Sequence, residues 1–298
     1  MGTTNLTTSP VDLHVHSSHS DGDWQVAEVV DAAAEQGVEV MALVDHNTMR
    51  GTEEFASAAE KNGIRTISAC EISTTWRGET WHLLAYHVGE DARFSERIEA
   101  ISSGQRAMYA KWLDLFEEAG VEIDRGAVEG FLEKSYLPFF GRFLDVVLPD
   151  LVRHPGHSRF AGAEYRDVVT ALFRPGKPFY VADPPFPAIE EAIGWVHDAG
   201  GVAVVAHPGR SLPPAEAVEV LRPLAEAGLH GVEAWSTWHD RGTADAYAGV
   251  ARDLGLIATQ GSDFHGGVKA WAPAPGAMPG HAPDPFAVVD RITAAARR

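Results

Sequence analysis

Short apolar runs recur along the chain and are separated by amphipathic segments. The runs are brief, rich in β-branched residues and bounded by glycine or polar residues, as buried strands are. They are Val11–Val15, Val38–Val44, Ile64–Ala69, Val202–Ala206, Gly231–Ala234 and Ile257–Thr259. This pattern predicts the strands of a sheet that is covered on both faces.

The segments between these runs have the apolar spacing of helices, and each ends at a glycine. The predicted helices are Val26–Gln36, Glu53–Asn62, Ile189–Ala199, Ala215–Ala227 and Ala244–Leu254. A glycine directly after a helix is the usual left-handed C-terminal cap. Repeated strand–helix–strand units of this kind predict an α/β fold in which a parallel sheet closes into a barrel.

The alternation stops in the middle of the chain. A helical apolar period begins near Phe94, and helical pieces interrupted by prolines continue to Lys177. We therefore expect a barrel built from residues 11–98 and 177–298, with an inserted, mainly helical subdomain at residues 99–176.

Composition places the chain among globular proteins. Its 298 residues are 45% hydrophobic and 22% charged, with a mean hydropathy of −0.12, which disfavours disorder. The longest purely aliphatic run, Val202–Ala206, is far shorter than the about 20 residues of a membrane-spanning helix. Met1–Pro10 lacks the basic and apolar regions of a secretory leader, and Cys70 is the one cysteine. We expect a cytoplasmic protein with no membrane partner.

The chain is strongly acidic. Its 42 Asp and Glu residues against 24 Lys and Arg residues give a formal net charge of −18, which disfavours binding to a nucleic-acid polymer. A small anionic substrate needs a local reversal of this charge. Bound cations would provide it, as would residues 134–177, which carry seven Lys or Arg and four Asp or Glu. A solvated helix face is the alternative explanation of that basic excess.

Histidine and carboxylate residues follow the predicted strands. His14 and His16 lie at alternate positions at the end of the first strand, so both imidazoles face the same side. Asp21 follows in the same loop, and other strand ends are followed by His46, Glu71, His207, Asp263 and His265. Because strand ends share one rim of a β/α barrel, the pattern predicts a multinuclear metal site there. His82 opens a further strand instead, and the pattern alone favours a core histidine at that position.

Ordered motifs carry a resemblance to a known family. They are Asp12-Leu-His-Val-His, Ser20-Asp-Gly, Val44-Asp-His-Asn, Glu71-Ile-Ser, His82-Leu-Leu, Ala206-His-Pro-Gly-Arg and Gly261-Ser-Asp-Phe-His. In this order they resemble the signatures of the polymerase-and-histidinol-phosphatase (PHP) superfamily. The resemblance covers residues 11–88 and 176–266. It is greatest to the phosphatases with a helical insertion, which include nucleotide and nucleoside 3′,5′-bisphosphate phosphatases.

The resemblance implies a distorted (β/α)7 TIM-like barrel that holds three divalent ions. Its ligand positions match three sets of residues: His14, His16, Glu71 and Asp263; Asp21, His46 and His265; and Glu71, His82 and His207. Glu71 would therefore bridge two ions. Nitrogen and oxygen ligands without cysteine suit Mn²⁺, Fe²⁺ or Zn²⁺.

The implied reaction is hydrolysis of a small phosphomonoester, such as a nucleotide or a nucleoside 3′,5′-bisphosphate. Divalent ions that share a water lower its pKa, so a metal-bridging hydroxide would be available to attack phosphorus. We assign catalysis to Glu71, Asp263 and His207. Arg142 and Arg210 are the candidates for binding the phosphate, and an ordinary surface position is the alternative for each.

Other functions stay open. Histidinol-phosphate phosphatase is the alternative within phosphatases, although the basic excess of residues 134–177 favours a bisphosphate over that cationic substrate. A nuclease or phosphodiesterase is disfavoured by the net charge. A non-catalytic metal-binding scaffold predicts missing ligands, whereas all nine positions carry competent residues. Glu233 ends a strand on the same rim, where core packing is favoured over a contact to the site. Nothing in the sequence indicates an oligomeric state.

Overall fold

The computed structural model describes residues 6–89 and 91–296. They divide into two compact units, the first from Met1–Glu99 with Phe186–Arg298 and the second from Ala100–Pro185. The predicted insertion at residues 99–176 overlaps the second unit. Residues 1–5, which carry half of the segment predicted to lack a leader, lie outside the described residues, as do residues 90, 297 and 298 of the predicted barrel segments.

The strands of the described residues all lie in the first unit. They are β1 (Thr7–Thr8), β2 (Val11–Val15), β3 (Val40–Leu43), β4 (Arg65–Trp76), β5 (Glu79–Tyr86), β6 (Val202–Val205), β7 (Gly231–Ser236), β8 (Ile257–Gly261) and β9 (Ala277–Met278). Strands β2 to β8 form one seven-stranded sheet in sequence order, and β1 pairs with β9 in a separate two-stranded sheet.

Helices occur in both units. They are α1 (Val26–Glu35), α2 (Thr52–Lys61), α3 (Ala92–Glu118), α4 (Arg125–Lys134), α5 (Phe140–Leu151), α6 (Tyr165–Leu172), α7 (Ile189–Asp198), α8 (Pro214–Glu226), α9 (Arg241–Leu254) and α10 (Pro285–Ala295). No helix among residues 6–89 and 91–296 combines the length and apolarity needed to cross a membrane. The cytoplasmic location stays a prediction.

The seven-stranded sheet is nearly closed. Its two outer strands meet where the N–H of His16 donates to the Phe264 carbonyl (2.9 Å) and the N–H of Asp263 donates to the His14 carbonyl (2.8 Å). The predicted α/β fold with a seven-stranded barrel is therefore confirmed. The prediction that its sheet is parallel is wrong for β5, which pairs antiparallel with both β4 and β6.

The position of Glu71 also differs from the expectation. It lies in the middle of β4 instead of following a strand that ends at Ala69, because the extended chain continues to Trp76 and turns back into β5. Arg77 and Gly78 form the turn, both with positive φ (50° and 81°), which is the backbone that a two-residue hairpin requires. Glu71 and His82 therefore project from the two strands of one hairpin.

The predicted helix–glycine boundaries are found in the first unit. Gly37, Gly63, Gly200, Gly228 and Gly255 each have φ between 69° and 98°, the left-handed region that glycine adopts without steric cost. The helices they end pack apolar faces on the sheet. Val29 and Val30 of α1, for example, are fully buried in one cluster with Met41 of β3. This packing fixes the strand ends that carry the site.

The second unit has its own aromatic core. Trp112 and Phe116 of α3 pack with Phe143 of α5 and with Phe173 and Phe179 from the segments that follow α6. Their rings meet at centroid distances of 4.8–6.2 Å, within the range of favourable aromatic pairs.

Candidate metal centre

The nine predicted ligands meet in one cluster of the first unit. Four parallel strands, β2, β3, β6 and β8, each end next to one or more of these ligands. The β4–β5 hairpin contributes Glu71 and His82. The loop after β2 contributes Asp21. The residues at or just after the four strand ends are His14, His16, His46, His207, Asp263 and His265.

The carboxylate of Glu71 lies at the centre of this cluster and is fully buried. Its Oε2 atom lies near three Nε2 atoms, at 3.1 Å from His14, 3.0 Å from His16 and 3.5 Å from His46. Its Oε1 atom lies 2.9 Å from His82 Nδ1 and 3.2 Å from His207 Nε2. The two oxygens therefore face different sets of histidines.

Among the described residues, three groups of side chains each bring their potential ligand atoms within 4.8 Å of one another. They are His14, His16, Glu71 and Asp263; His16, Asp21, His46 and His265; and His46, Glu71 and His82. The first group is the first set that the resemblance implies, and the second contains the second set. In the third, His46 joins Glu71 and His82, while His207 reaches the same Glu71 oxygen from outside the group.

Strained backbone accompanies the strand ends. Asn47, His207 and Asp263 are non-glycine residues with positive φ values of 52°, 23° and 53°. Such conformations cost about 1–3 kcal/mol each and cluster at functional sites, where the surrounding structure holds them. They lie in the segments that follow β3, β6 and β8.

Burial and neighbouring charges set the protonation of the cluster. Burial alone would raise the pKa of the Glu71 carboxyl, but the surrounding histidines hold it well below its usual range. Burial also opposes ionisation of Asp21 and Asp263, but His265 and His46 hold the pKa of Asp21 well below its usual range, and Lys269 does so for Asp263, with His265 and His14 adding to it. Burial lowers the pKa of His46 and His82. Ionised carboxylates with neutral imidazoles are the ligand state that divalent cations require.

His14 and His16 carry the opposite shift. Burial would lower their pKa values, but the carboxylates outweigh it, chiefly Glu233 at His14 and Asp263 at His16, and the pKa of His16 rises to about 9. These two imidazoles thus lie among carboxylates, His14 beside Glu71, Asp263 and Glu233 and His16 beside Glu71 and Asp263. This position attracts positive charge, whether as a proton or as a metal cation.

Unsatisfied polar atoms also fit a metal centre. Buried polar atoms normally have a hydrogen-bond partner, so orphaned ones need an explanation. Five buried atoms of the cluster make no hydrogen bond of acceptable geometry among residues 6–89 and 91–296, although oppositely charged groups lie about 3 Å from several of them. They are Asp21 Oδ1, His46 Nδ1, His82 Nδ1, Asp263 Oδ1 and His265 Nε2. All are nitrogen or carboxylate-oxygen donors of the kind that Mn²⁺, Fe²⁺ and Zn²⁺ accept. The residues present therefore fit bound divalent ions.

Comparison with known proteins assigns the family. A model of the PHP domain matches residues 12–134. A 3′,5′-nucleoside bisphosphate phosphatase of Chromobacterium violaceum is 30% identical over 261 residues, which cover 86% of this chain and 87% of that protein. The chain belongs to the PHP family.

Two further relatives show how far the similarity extends. A 5′-3′ exoribonuclease of Haemophilus influenzae is 29% identical over 272 residues, covering 87% of this PHP chain and 90% of that protein. The solved structure of an amidohydrolase from C. violaceum, with bound sulfate and no metal, has a TM-score of 0.74 at 28% identity. It covers 95% of this chain and 97% of that one, so the similarity extends well beyond residues 12–134.

The two predicted substrate-binding arginines lie in different units. Arg210 is exposed and closely follows His207. Burial is the main cause that lowers the pKa of His82, Glu71 opposes it, and the charges of His207 and Arg210 lower it further. Arg142 is exposed on α5 of the second unit, where its Nη1 lies 3.8 Å from Asp145 Oδ2. The role of Arg142 stays a prediction.

Glu233 is the site residue that the sequence pattern misplaced. Its carboxylate is fully buried, with Oε1 2.9 Å from His14 Nδ1 and Oε2 accepting the backbone N–H of His207 at 2.8 Å. It therefore orients the imidazole of His14 and the backbone of His207, two predicted ligands that follow different strands. Carboxylates that hold metal-binding histidines in this way commonly tune metal affinity.

Lys269 and Trp238 were not identified from the sequence. Lys269 Nζ lies 2.8 Å from Asp263 Oδ2, and the Trp238 indole N–H donates to the same oxygen at 2.5 Å. Both donors hold Oδ2, which leaves Oδ1 facing His14, His16 and His265. Both residues come from loops after strands, where no periodic pattern marks them.

Glu233→Gln is expected to weaken metal binding about 10- to 100-fold. A carboxylate accepts from both His14 and His207, whereas an amide offers one oxygen and must face the second donor with its own NH₂ group. If the amide NH₂ faces His14, then Nδ1 of His14 must become the acceptor. The imidazole proton then moves to Nε2 of His14, the atom that faces Glu71 and would bind the metal. Isothermal titration with Mn²⁺ measures the affinity.

The exposed α8 residue Glu219, changed to Gln, is the matched control for Glu233→Gln. It removes the same charge outside the cluster and should leave the Mn²⁺ affinity unchanged. Equal affinities in both variants would show that Glu233 does not orient the ligands.

Proposed function

We propose that this PHP protein is a metal-dependent phosphatase that hydrolyses a small phosphomonoester, a nucleotide or nucleoside 3′,5′-bisphosphate. The observation that carries the proposal is the position of Glu71, whose two oxygens each face histidines from different strands. A buried carboxylate in that arrangement is suited to bridge two cations. As a PHP family member, the chain is a phosphoesterase, and the monoester specificity is the proposed part.

The proposed ligand sets follow the grouping of side chains. His14, His16, Glu71 and Asp263 hold one ion, and Asp21, His46 and His265 hold a second. Glu71, His82 and His207 hold a third. The proposed cations are Mn²⁺, Fe²⁺ or Zn²⁺, and when bound they supply Lewis acidity, charge neutralisation and an activated water.

The chain's own residues position that chemistry. Glu71, Asp263 and His207 are the proposed catalytic residues. Glu71 belongs to two ligand sets, Asp263 lies 3.5 Å from His265 of the neighbouring set, and His207 lies 3.2 Å from Glu71. Lys269 and Trp238 hold the outer oxygen of Asp263, so its inner oxygen keeps a fixed direction. Arg210, next to His82 and His207, is placed to bind an anionic oxygen of the substrate. The positive charges of Lys269 and Arg210 locally oppose the −18 net charge of the chain, and an anionic substrate requires such a local reversal.

Phosphodiester cleavage is the second candidate, supported by the exoribonuclease relative at 29% identity. The strong negative charge of the chain works against binding an RNA backbone over a broad face. A small substrate with one or two phosphates is less affected, because the metal cluster itself supplies the positive charge.

Phosphate release from a matched substrate panel tests the proposal. Metal-loaded protein is assayed for phosphate release from adenosine 3′,5′-bisphosphate, AMP and histidinol phosphate and for mononucleotide release from a 5′-phosphorylated oligoribonucleotide, and bound metal is counted by mass spectrometry. We expect about three ions per chain and the highest kcat/KM on the adenosine nucleotides. Activity confined to histidinol phosphate or to the oligonucleotide would replace the proposed substrate class, and a chain without bound metal would leave only a scaffold role.

Arg210→Ala is expected to raise KM about tenfold with little change in kcat. A contact made equally to the bound substrate and to the transition state affects KM alone. Steady-state kinetics on the best substrate of the panel measure both parameters. Arg222→Ala, an exposed arginine on α8, is the control. A drop in kcat at constant KM would instead place Arg210 in the chemical step, and unchanged kinetics would remove it from the site.

A further inference from the structure

Two tryptophans extend from the metal centre toward solvent. Trp238, just beyond β7, donates its indole N–H to Asp263 and lies with its ring centroid 5.7 Å from that of His207. The ring of Trp271 meets Trp238 edge-on at 5.4 Å and 70°. Trp271 is 49% exposed, although its large apolar ring favours burial. The pair therefore forms a continuous aromatic surface from a predicted ligand to the protein exterior.

Two cations flank this surface. Lys269 Nζ lies 5.6 Å from the ring centroid of Trp238, and Arg210 Cζ lies 5.4 Å from it. Contacts to Asp263, Lys269 and Arg210 fix the Trp238 ring, so Trp238 is a supporting wall. Trp271 is the member of the pair whose surface is open to a ligand.

We propose that Trp271, supported by Trp238, is the stacking platform for the nucleobase of the substrate. This inference rests on the proposed function, because it takes the phosphate to lie at the metal centre. Trp271 stands one ring beyond Trp238, which itself touches Asp263. A phosphate beside Asp263 and a base on Trp271 are then separated by about the width of one indole, the space that a ribose occupies in a nucleotide.

The flanking charges favour a nucleotide over an amine-bearing phosphate. Lys269 and Arg210 repel the ammonium group of histidinol phosphate, whose imidazole could otherwise use the same ring. They attract the second phosphate of a nucleoside bisphosphate instead. Stacking of a base on an aromatic side chain is worth about 1–3 kcal/mol and tolerates any base, so the platform selects for a base without selecting its identity.

Kinetics of Trp271→Ala with substrates that have or lack a base test the platform. We expect KM for AMP and adenosine 3′,5′-bisphosphate to rise about tenfold, while KM for ribose 5-phosphate stays unchanged. Trp271→Phe keeps a stacking face and should recover most of the affinity. Phe286 is an exposed aromatic residue at the start of α10. Phe286→Ala is the control and should leave KM unchanged for all three substrates.

The outcomes separate this inference from the proposed function. Equal KM changes with and without a base, or no change at all, would overturn the platform while phosphatase activity stands. If the wild type releases no phosphate from any substrate, calorimetric binding of AMP decides. Tenfold weaker binding by Trp271→Ala would support the platform without the reaction, and absence of AMP binding to the metal-loaded wild type would overturn it. The wild type could instead prefer a 5′-phosphorylated oligonucleotide over AMP, with that preference lost in Trp271→Ala. This result would overturn the nucleotide as the ligand of Trp271 and assign the terminal base of an RNA in its place.

Discussion

Glu71→Gln is expected to lower kcat by more than about 100-fold and to reduce the number of bound metal ions. The substitution keeps the shape of the side chain but removes its charge and replaces one oxygen by an NH₂ group, which cannot bind a cation. Since each oxygen of Glu71 faces a different set of histidines, either orientation of the amide removes one of the two links. Metal analysis and kcat for the same preparation measure both effects.

The predicted size of the Glu71 effect comes from its bridging position. Replacing a residue that binds one ion weakens the binding of that ion, whereas replacing a bridging residue weakens the binding of two ions at once. Glu60→Gln, an exposed substitution on α2, is the matched control and should keep full activity. Thermal unfolding of Glu71→Gln shows whether the fold is retained. A folded Glu71→Gln variant with full metal content and near wild-type kcat would contradict the bridging role.

The barrel was largely predictable because its signals are local. Apolar runs mark β2, β3 and β6, and helical spacing with a closing glycine marks α1 and α7 within one or two residues of their observed ends. The direction of β5 was not predictable from its own residues, because an extended strand has the same alternation in either direction. The signal that could have identified it is the two-residue Arg77-Gly78 turn, which joins antiparallel strands.

The clustering of the candidate ligands was predictable, whereas the residues that support them were less so. The strand-end rule brings His14, His16, His46 and Asp263 together, and the structure places them in contact with Glu71 or with one another. His82 needed the family resemblance, because its place in β5 depends on the unpredicted hairpin. Glu233 looked like a core position since its neighbours in β7 are apolar, and only the contact with His14 across the barrel shows otherwise.

Gly261→Ala is expected to disrupt the barrel closure and the metal centre together. Gly261 is the last residue of β8, and a Cβ added there would lie 2.1 Å from His14 Cβ and 2.7 Å from His14 N. Real Cβ atoms do not approach other atoms this closely, and one of the obstructing groups is backbone. The strand β8 must therefore move away from β2, or His14 must leave its position beside Glu71.

Both responses have measurable results. Overpacking of a rigid core costs about 1–3 kcal/mol and more where backbone must move, and about 3 kcal/mol lowers Tm by roughly 10 °C in a domain of this size. Displacement of His14 also removes a ligand of the predicted first ion, so the variant should lose bound metal in addition to stability. Gly194→Ala in α7, where an added Cβ meets nothing within 4 Å, is the matched control and should raise stability by about 0.5–1 kcal/mol. A Gly261→Ala protein with wild-type Tm and metal content would show that β2 and β8 have more room to separate than their contacts indicate.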